Sequence, residues 1–361
     1  MWKLFVVVFA VSVTWVKSQD TCENRCNVKY NSEYACQCNT QCDQYANCCN
    51  DYDQYCTGME LSCLNRCLEN YDSRNLCHCD NNCDAAGNCC DDYIEICGDS
   101  YGELSELAQE LWNLDVNRAP AGEIMLDLQA LITDTSAEVD LSPKPLFSYV
   151  NPDLFLIPTY EHLWNLLDNY IRMTGTAEDL TTNELDEVNL FVDEVLSSSV
   201  MMRAHEYLAS KGLVSPDYWI EFREDLKTIW LEFYTRSSGP LDSSGFEHVF
   251  VGEVKNGDVS GFHGWLNFYK EEQAGRLNYY GYTNEIKEID AIGMQMEWDG
   301  YMKSLSSMFV GTSPEFELAI FTVCFKAMPN KVCTFDMNMY KTEIQTWKEQ
   351  SKFVGSAYVM A

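Results

Sequence analysis

Two histidines of this chain are placed to do acid–base chemistry on a phosphate. Two of its five histidines, His248 and His263, flank Lys255-Asn256-Gly257-Asp258, and Asn-Gly is a strong signal for a tight hairpin turn. Segments 246–254 and 259–269 read as the two strands of that hairpin. With the turn centred on Asn256-Gly257, His248 faces Trp265 and His263 faces Phe250, so both imidazoles project from one sheet face. Diagonal neighbours of this kind lie about 7–8 Å apart, a gap that admits a phosphate. One imidazole could take a proton from an attacking hydroxyl while the other protonates the leaving oxygen, because histidine titrates in the required range. An anionic pentacoordinate phosphorus also needs a fixed cation, which a lysine could supply. The arrangement suits RNA cleavage by the ribose 2′-hydroxyl. A loop one residue longer would turn the histidines to opposite faces.

The elements that must hold these residues divide the chain in two. Sixteen of the 18 cysteines lie between Cys22 and Cys97. Those at 22, 26, 36, 38, 42, 48, 49 and 56 recur 41 residues later at 63, 67, 77, 79, 83, 89, 90 and 97. Units of this size cannot bury much core, so four disulfides apiece must hold them, with a zinc cluster as the lesser alternative. Spacing leaves the connectivity open. Beyond Ser100 apolar residues recur at helical intervals. Tyr160–Met173 places Leu163, Leu166, Leu167, Tyr170 and Ile171 on one face. A second helix is expected over Glu184–Lys211, closed by Gly212 in the left-handed cap position. A third begins at Ser215-Pro216 and buries Trp219, Phe222, Leu226, Ile229, Trp230 and Phe233. His162 and His205 are expected to be ordinary, partly exposed residues of these helices. Cys324 and Cys333 flank Met328-Pro329-Asn330-Lys331 and read as a disulfide across a turn between two strands.

The net charge is −32, which argues against a protein that coats nucleic acid. From Tyr101 to Glu247 there are 8 Lys/Arg against 27 Asp/Glu, whereas from His248 to Ala361 there are 10 against 14. A site for a polyanion therefore belongs in the C-terminal half. Residues 1–18 carry Lys3, an apolar run from Leu4 to Trp15 and a small residue at Ser18, the pattern of a secretory signal peptide. That run is too short to span a bilayer, and an oxidising compartment suits the cysteines.

Two resemblances then become specific. Cys36-Gln37-Cys38, Cys42, Cys48-Cys49-Asn50-Asp51-Tyr52 and Cys56, with their copies 41 residues on, resemble the somatomedin B domain. That family implies small extracellular modules that bind proteins. Gly245-Phe246-Glu247-His248-Val249-Phe250-Val251-Gly252-Glu253, Gly261-Phe262-His263-Gly264-Trp265 and Trp298-Asp299-Gly300-Tyr301-Met302-Lys303 resemble, in order, three signatures of the EndoU (poly-U-specific endoribonuclease) family. Gly311-Thr312-Ser313-Pro314-Glu315-Phe316-Glu317 continues the likeness, which runs from about Gly102 to Ala361. The resemblance implies that His248 and His263 are acid and base and Lys303 the cation. It implies that Glu247 and Glu253 are acidic residues needed for activity, and that Ser307 contacts uracil. Ile344-Gln345-Thr346-Trp347 stands where relatives commonly show a Thr-Tyr pair, so Thr346 is the expected substrate-binding hydroxyl; Trp347 departs from the pattern, with Tyr340 as a substitute. Animal relatives typically depend on manganese, for which no ligand cluster stands out.

The expected architecture is a signal peptide over residues 1–18, somatomedin B-like domains over 19–59 and 60–100, and an α+β catalytic domain over 101–361. In that domain helices come first and mainly antiparallel strands carry the site. The expected protein is a secreted, monomeric endoribonuclease without a membrane span, cleaving single-stranded RNA at uridines to leave 2′,3′-cyclic phosphate. Its somatomedin B-like modules would either bind an extracellular protein partner or serve as stabilising spacers. The alternative is a non-catalytic extracellular protein- or RNA-binding protein acting through those modules. A serine protease is disfavoured because no Gly-x-Ser-x-Gly elbow is present.

Overall fold

The computed structural model describes residues 97–361, except 237 and 238, together with part of the segment 21–93. The apolar leader expected over residues 1–18 lies outside the described residues. The chain divides into two compact units, with the boundary between Cys97 and Gly98. Among the described residues no helix is long and apolar enough to cross a membrane.

In the N-terminal unit both cysteine sets close in one pattern. Cys22–Cys38, Cys36–Cys49 and Cys42–Cys48 correspond to Cys63–Cys79, Cys77–Cys90 and Cys83–Cys89. Cys67–Cys97 adds a further bridge in the second set. The sulfurs themselves form the two small buried cores, which is what a unit too small for an aliphatic core requires. The described cysteines are all paired, so they are staples and not zinc ligands.

The C-terminal unit is α+β. Helices α1 (Gly98–Leu114), α2 (Pro158–Leu166), α3 (Thr182–Ser197), α4 (Ser199–Ser210) and α5 (Arg223–Leu231) dominate its first half, interrupted by the ribbon β1 (Ile124–Leu126) and β2 (Phe147–Val150). Then come β3 (Glu253–Lys255), β4 (Asp258–Ser260), α6 (Trp265–Gln273), β5 (Leu277–Ile286), β6 (Ala291–Trp298) and β7 (Tyr301–Phe309). The chain ends with α7 (Pro314–Ala327), β8 (Val332–Met337), β9 (Tyr340–Glu349) and β10 (Phe353–Val359). One sheet has the order β3-β4-β7-β6-β5, antiparallel but for the β4–β7 contact; the other, β10-β9-β8, is antiparallel throughout. Helix α7 is buried from Pro314 to Phe325 and sits in a continuous apolar core. It can do so because its sequence is apolar nearly all round.

Several expected elements are shorter or differently bounded. The first helix stops at Leu166 instead of reaching Met173. The Glu184–Lys211 helix is two helices, because the Ser198 hydroxyl accepts from Met201 N and caps a new start. Gly212 does adopt a left-handed φ of 67°. The third helix is capped by Asp217 and not Ser215, and it opens with a π-helical turn, Tyr218–Phe222, that leaves Trp219 58% exposed. His205 is buried, its Nε2 2.8 Å from the Ser215 carbonyl. Cys324 and Cys333 are bonded, but Cys324 lies on α7, so the bridge joins a helix to a strand.

The hairpin carries the main correction. Its register is as expected, with Glu253 opposite Ser260 and Lys255 opposite Asp258. Its strands are three residues each, however. Glu247–Val251 is a π-helical turn and Trp265–Gln273 a helix, so neither histidine lies on a strand. Gly252 ends the first segment with a φ of 97°, where a Cβ would meet the Phe262 ring at 2.3 Å. Trp265, Leu266 and Phe268 are all buried, so the apolar run that reads as a strand serves equally as a buried helix.

Candidate active site

The histidines meet by a route other than cross-strand pairing. The π-helical turn presents His248, and the loop after β4 doubles back over it. Phe262 N donates to the His248 carbonyl at 2.8 Å and His263 N to the Val249 carbonyl at 2.7 Å. Gly261 makes this approach possible: a Cβ there would stand 1.9 Å from the His248 oxygen, at a φ of 68°. His248, His263, Lys303 on β7, Ser307, Ser356, Trp347 and Tyr358 line one pocket of about 670 Å³.

Each ring is oriented by its Nδ1. His248 Nδ1 lies 2.8 Å from Glu253 Oε2, and a buried carboxylate there accepts the Nδ1–H. His263 Nδ1 lies 2.8 Å from the Ser307 carbonyl, which can only accept, so it too carries the proton. In both rings Nε2 is left as the free nitrogen. The His263 ring stacks on Tyr358 with centroids 4.7 Å apart.

Burial sets the charges. It pushes the His248 imidazolium down to about 4, helped by Arg236 and Lys303 and opposed by Glu253. Burial, then Lys303 and His248, hold His263 well below the usual histidine range, against the Ser307 carbonyl. Burial also lowers the Lys303 ammonium to about 8, with Glu253 opposing, so it stays largely cationic at neutral pH. Burial alone would raise the Glu253 carboxyl, but His248, Arg236 and the Ser243 hydroxyl outweigh it and keep it ionised. The free protein thus offers two neutral imidazoles beside one cation.

Among the other expected residues, Glu253 supports His248 from behind. Glu247 is fully buried with both carboxyl oxygens unpartnered, and burial, then Glu253 and Glu178, raise it well above its usual range. It does not line the pocket. Ser307 does, with its hydroxyl donating to the Val359 carbonyl. Thr346 does not: it is completely buried, and its hydroxyl donates to the Met328 carbonyl at 3.4 Å. Strand alternation explains the correction, since adjacent residues of β9 point to opposite faces. Thr346 pairs with Ala357 on the core side, and Trp347 pairs with Ser356 on the pocket side. Thr346 and Tyr340 do not line the pocket; a hydroxyl and a phenol that do are those of Ser356 and Tyr358, two apart on β10. The signal for them was the Ser-x-Tyr spacing in the last apolar segment. Arg236, 2.9 Å from Glu253, had no signal, because nothing in its neighbourhood marks a partner 17 residues away.

Acidic groups suited to a divalent cation lie outside the pocket. Both Glu253 oxygens are engaged, by His248, Arg236 and Ser243. Asp115, Glu315 and Glu317 are buried, and each keeps one oxygen without a partner. Burial raises Asp115 to about 6, and it raises Glu317 well above its range. These are the hard oxygen donors that manganese takes. Among the described residues, however, the only groups of three candidate ligand atoms within 4.8 Å are disulfide cysteines. Bound manganese would therefore have to draw the carboxylates together.

Comparison with known proteins gives the family. The family described as Endoribonuclease XendoU matches residues 103–359, and the Somatomedin B domain matches residues 20–59 and 61–100. A uridylate-specific endoribonuclease of Paralichthys olivaceus is 44% identical, with 94% of each chain covered. One of Mus musculus is 36% identical over 99% of this chain and 98% of its own length. A solved structure described as XendoU, a splicing independent snoRNA processing endoribonuclease, superposes with a TM-score of 0.61 at 33% identity, covering 72% of this chain and 97% of that one. The chain belongs to the XendoU endoribonuclease family and carries two somatomedin B domains ahead of its endoribonuclease domain.

Proposed function

We propose that the protein is a secreted, uridine-selective endoribonuclease that cleaves single-stranded RNA by attack of the ribose 2′-hydroxyl. The observation that carries this reading is two buried imidazoles with free Nε2 atoms lining one pocket with Lys303. His263, facing a carbonyl, is the base: its Nε2 takes the 2′-hydroxyl proton. The 2′-oxygen bonds to phosphorus as the bond to the 5′-oxygen breaks. His248, facing the Glu253 carboxylate, is the acid, because that carboxylate stabilises an imidazolium. The bound phosphodiester adds a second negative charge that raises its proton affinity, and its Nε2 proton goes to the departing oxygen. Lys303 offsets the charge on the pentacoordinate phosphorus. The products are a 2′,3′-cyclic phosphate and a 5′-hydroxyl. Ser307 and Ser356 offer hydroxyls to a uracil edge, and Tyr358 and Trp347 offer it aromatic faces.

The test is cleavage of a labelled RNA containing one uridine, read by mass spectrometry of the ends. A single cut 3′ to the uridine with a cyclic phosphate is expected; uncut RNA with well-folded protein would sink the reading in favour of a binding protein. Export and a role outside the cell belong to the same proposal, and the stacked disulfides support it.

Manganese dependence is part of the proposal. Asp115, Glu315 and Glu317 would hold the ion, which when bound supplies charge neutralisation to the domain frame. The histidine pocket supplies the acid and base itself. Asp115→Asn should raise the Tm of EDTA-treated protein at neutral pH by removing a carboxylate that burial destabilises, Glu317→Gln should change it little because burial already keeps that carboxyl protonated, and both should remove a manganese-induced rise seen in the parent protein. A manganese-induced shift of unchanged size in both variants would place the ion elsewhere.

A further inference from the structure

The described residues that line the catalytic pocket do not include Arg236, yet Arg236 reaches both arms of the site. Its Nε lies 2.9 Å from Glu253 Oε2 and 3.1 Å from Ser243 Oγ. Its Nη2 donates to the Gly355 carbonyl at 2.7 Å and to the Tyr234 hydroxyl at 2.8 Å. Tyr234 in turn donates to the Val354 carbonyl at 3.1 Å. The β9–β10 register slips between Val354 and Ser356, so these bonds hold the bulged start of β10. That strand then delivers Ser356 and Tyr358 to the pocket, and Tyr358 stacks on His263. The Arg236 side chain is only 10% exposed and is committed to these partners.

We propose that Arg236 is a positioning residue of the cleavage reaction, bracing the Glu253 carboxylate against His248 with its Nε and the bulge of β10 with its Nη2. A planar guanidinium with several donors fixed relative to one another can serve two arms at once, which a lysine ammonium cannot reproduce. The bracket also separates charge from geometry. The charged and titratable groups acting on His248 are Glu253, Arg236 and Lys303, with His263 across the pocket. Taking away the Arg236 cation leaves the Glu253 charge to act on His248 with less opposition, so His248 holds its proton more tightly. The inference rests on the reading of His248 as the acid.

The experiment compares Arg236→Met and Arg236→Lys with the parent protein in pH profiles of kcat and KM, and in NMR titration of the His248 ring. Arg236→Met is expected to lower kcat at least tenfold, leave KM within about twofold, and move the alkaline limb of kcat and the His248 titration upward by about one pH unit. Arg236→Lys should lower kcat while keeping the limb and the titration where they were. A rise in KM with kcat intact would make Arg236 a substrate ligand and overturn the proposal. So would a kcat loss equal at every pH with an unmoved His248 titration. If Arg236→Met does not fold, an unchanged kcat in Arg236→Lys overturns it. Absence of cleavage by the parent protein would instead defeat the ribonuclease reading, while the NMR titration still decides whether Arg236 acts on His248.

Discussion

His263→Ala is expected to lower kcat for uridine cleavage by about 10²–10⁴-fold, the usual contribution of a positioned general base, with KM little changed. The pocket keeps Lys303, His248 and the aromatic lining, so binding should survive while proton removal does not. Loss of the Tyr358 stack should cost about 0.5–1.5 kcal/mol, enough for a small fall in Tm. A second readout comes from linkage. Both histidines are held unprotonated in the fold, below the ordinary histidine value of 6.5. The unfolded chain therefore binds more protons, and stability falls as the pH drops below 6.5 towards the folded values, reached for His248 near 4. His263→Ala removes one of these two groups, so its loss of stability with acid should be shallower in urea titrations. A variant retaining a tenth or more of parental kcat would remove His263 from the base role.

Glu253→Ala should be the most destabilising single change at the site. The carboxylate is fully buried and neutralises Arg236, whose side chain is 10% exposed, while orienting His248. Deleting one partner of such a pair leaves a buried charge uncompensated, at a cost of about 3–5 kcal/mol. Chemical unfolding should show that loss, and cleavage should fall with it because the His248 ring loses its orienting acceptor. Adding Arg236→Met to Glu253→Ala should recover part of the stability, since the orphaned guanidinium is then gone, without recovering activity. Equal stability of Glu253→Ala and the parent protein would mean that Arg236 escapes to solvent, and the ion pair would lose its structural meaning.

These expectations draw on different parts of the chain's information. The 41-residue spacing of Cys22–Cys56 onto Cys63–Cys97 identified two equivalent modules, and the observed bridges repeat between them. Thr181 with Glu184 forms a capping box at the start of α3, within three residues of the expected start. Asn256-Gly257 set the register of β3 on β4, because the turn chemistry is local and needs no distant partner. Local signals failed where burial on all sides erased periodicity. Trp265–Phe268 read as a strand and folded as a helix, and Glu247–Val251 likewise became a π-helical turn.

The proposed acid, base and cation could be picked out of the sequence because His248, His263 and Lys303 stand within contiguous motifs, each a dozen residues or shorter. Their juxtaposition could not, because it depends on Gly261 admitting the His248 carbonyl and on β7 arriving from 40 residues downstream of the second histidine. The same limit separates Thr346 from Ser356. Which hydroxyl reaches the pocket depends on which face of each strand meets the core, and that is settled only when β9 and β10 pair. Sequence by itself determined the modules, the left-handed glycine after α4, the turn and the chemical types at the site. Tertiary structure alone decided the proton-bearing nitrogens, the neutral state of both histidines and the Arg236 bracket. The reason is physical: hydrogen-bond partners and desolvation come from groups far apart in the chain, and their strength depends on the dry environment that packing creates.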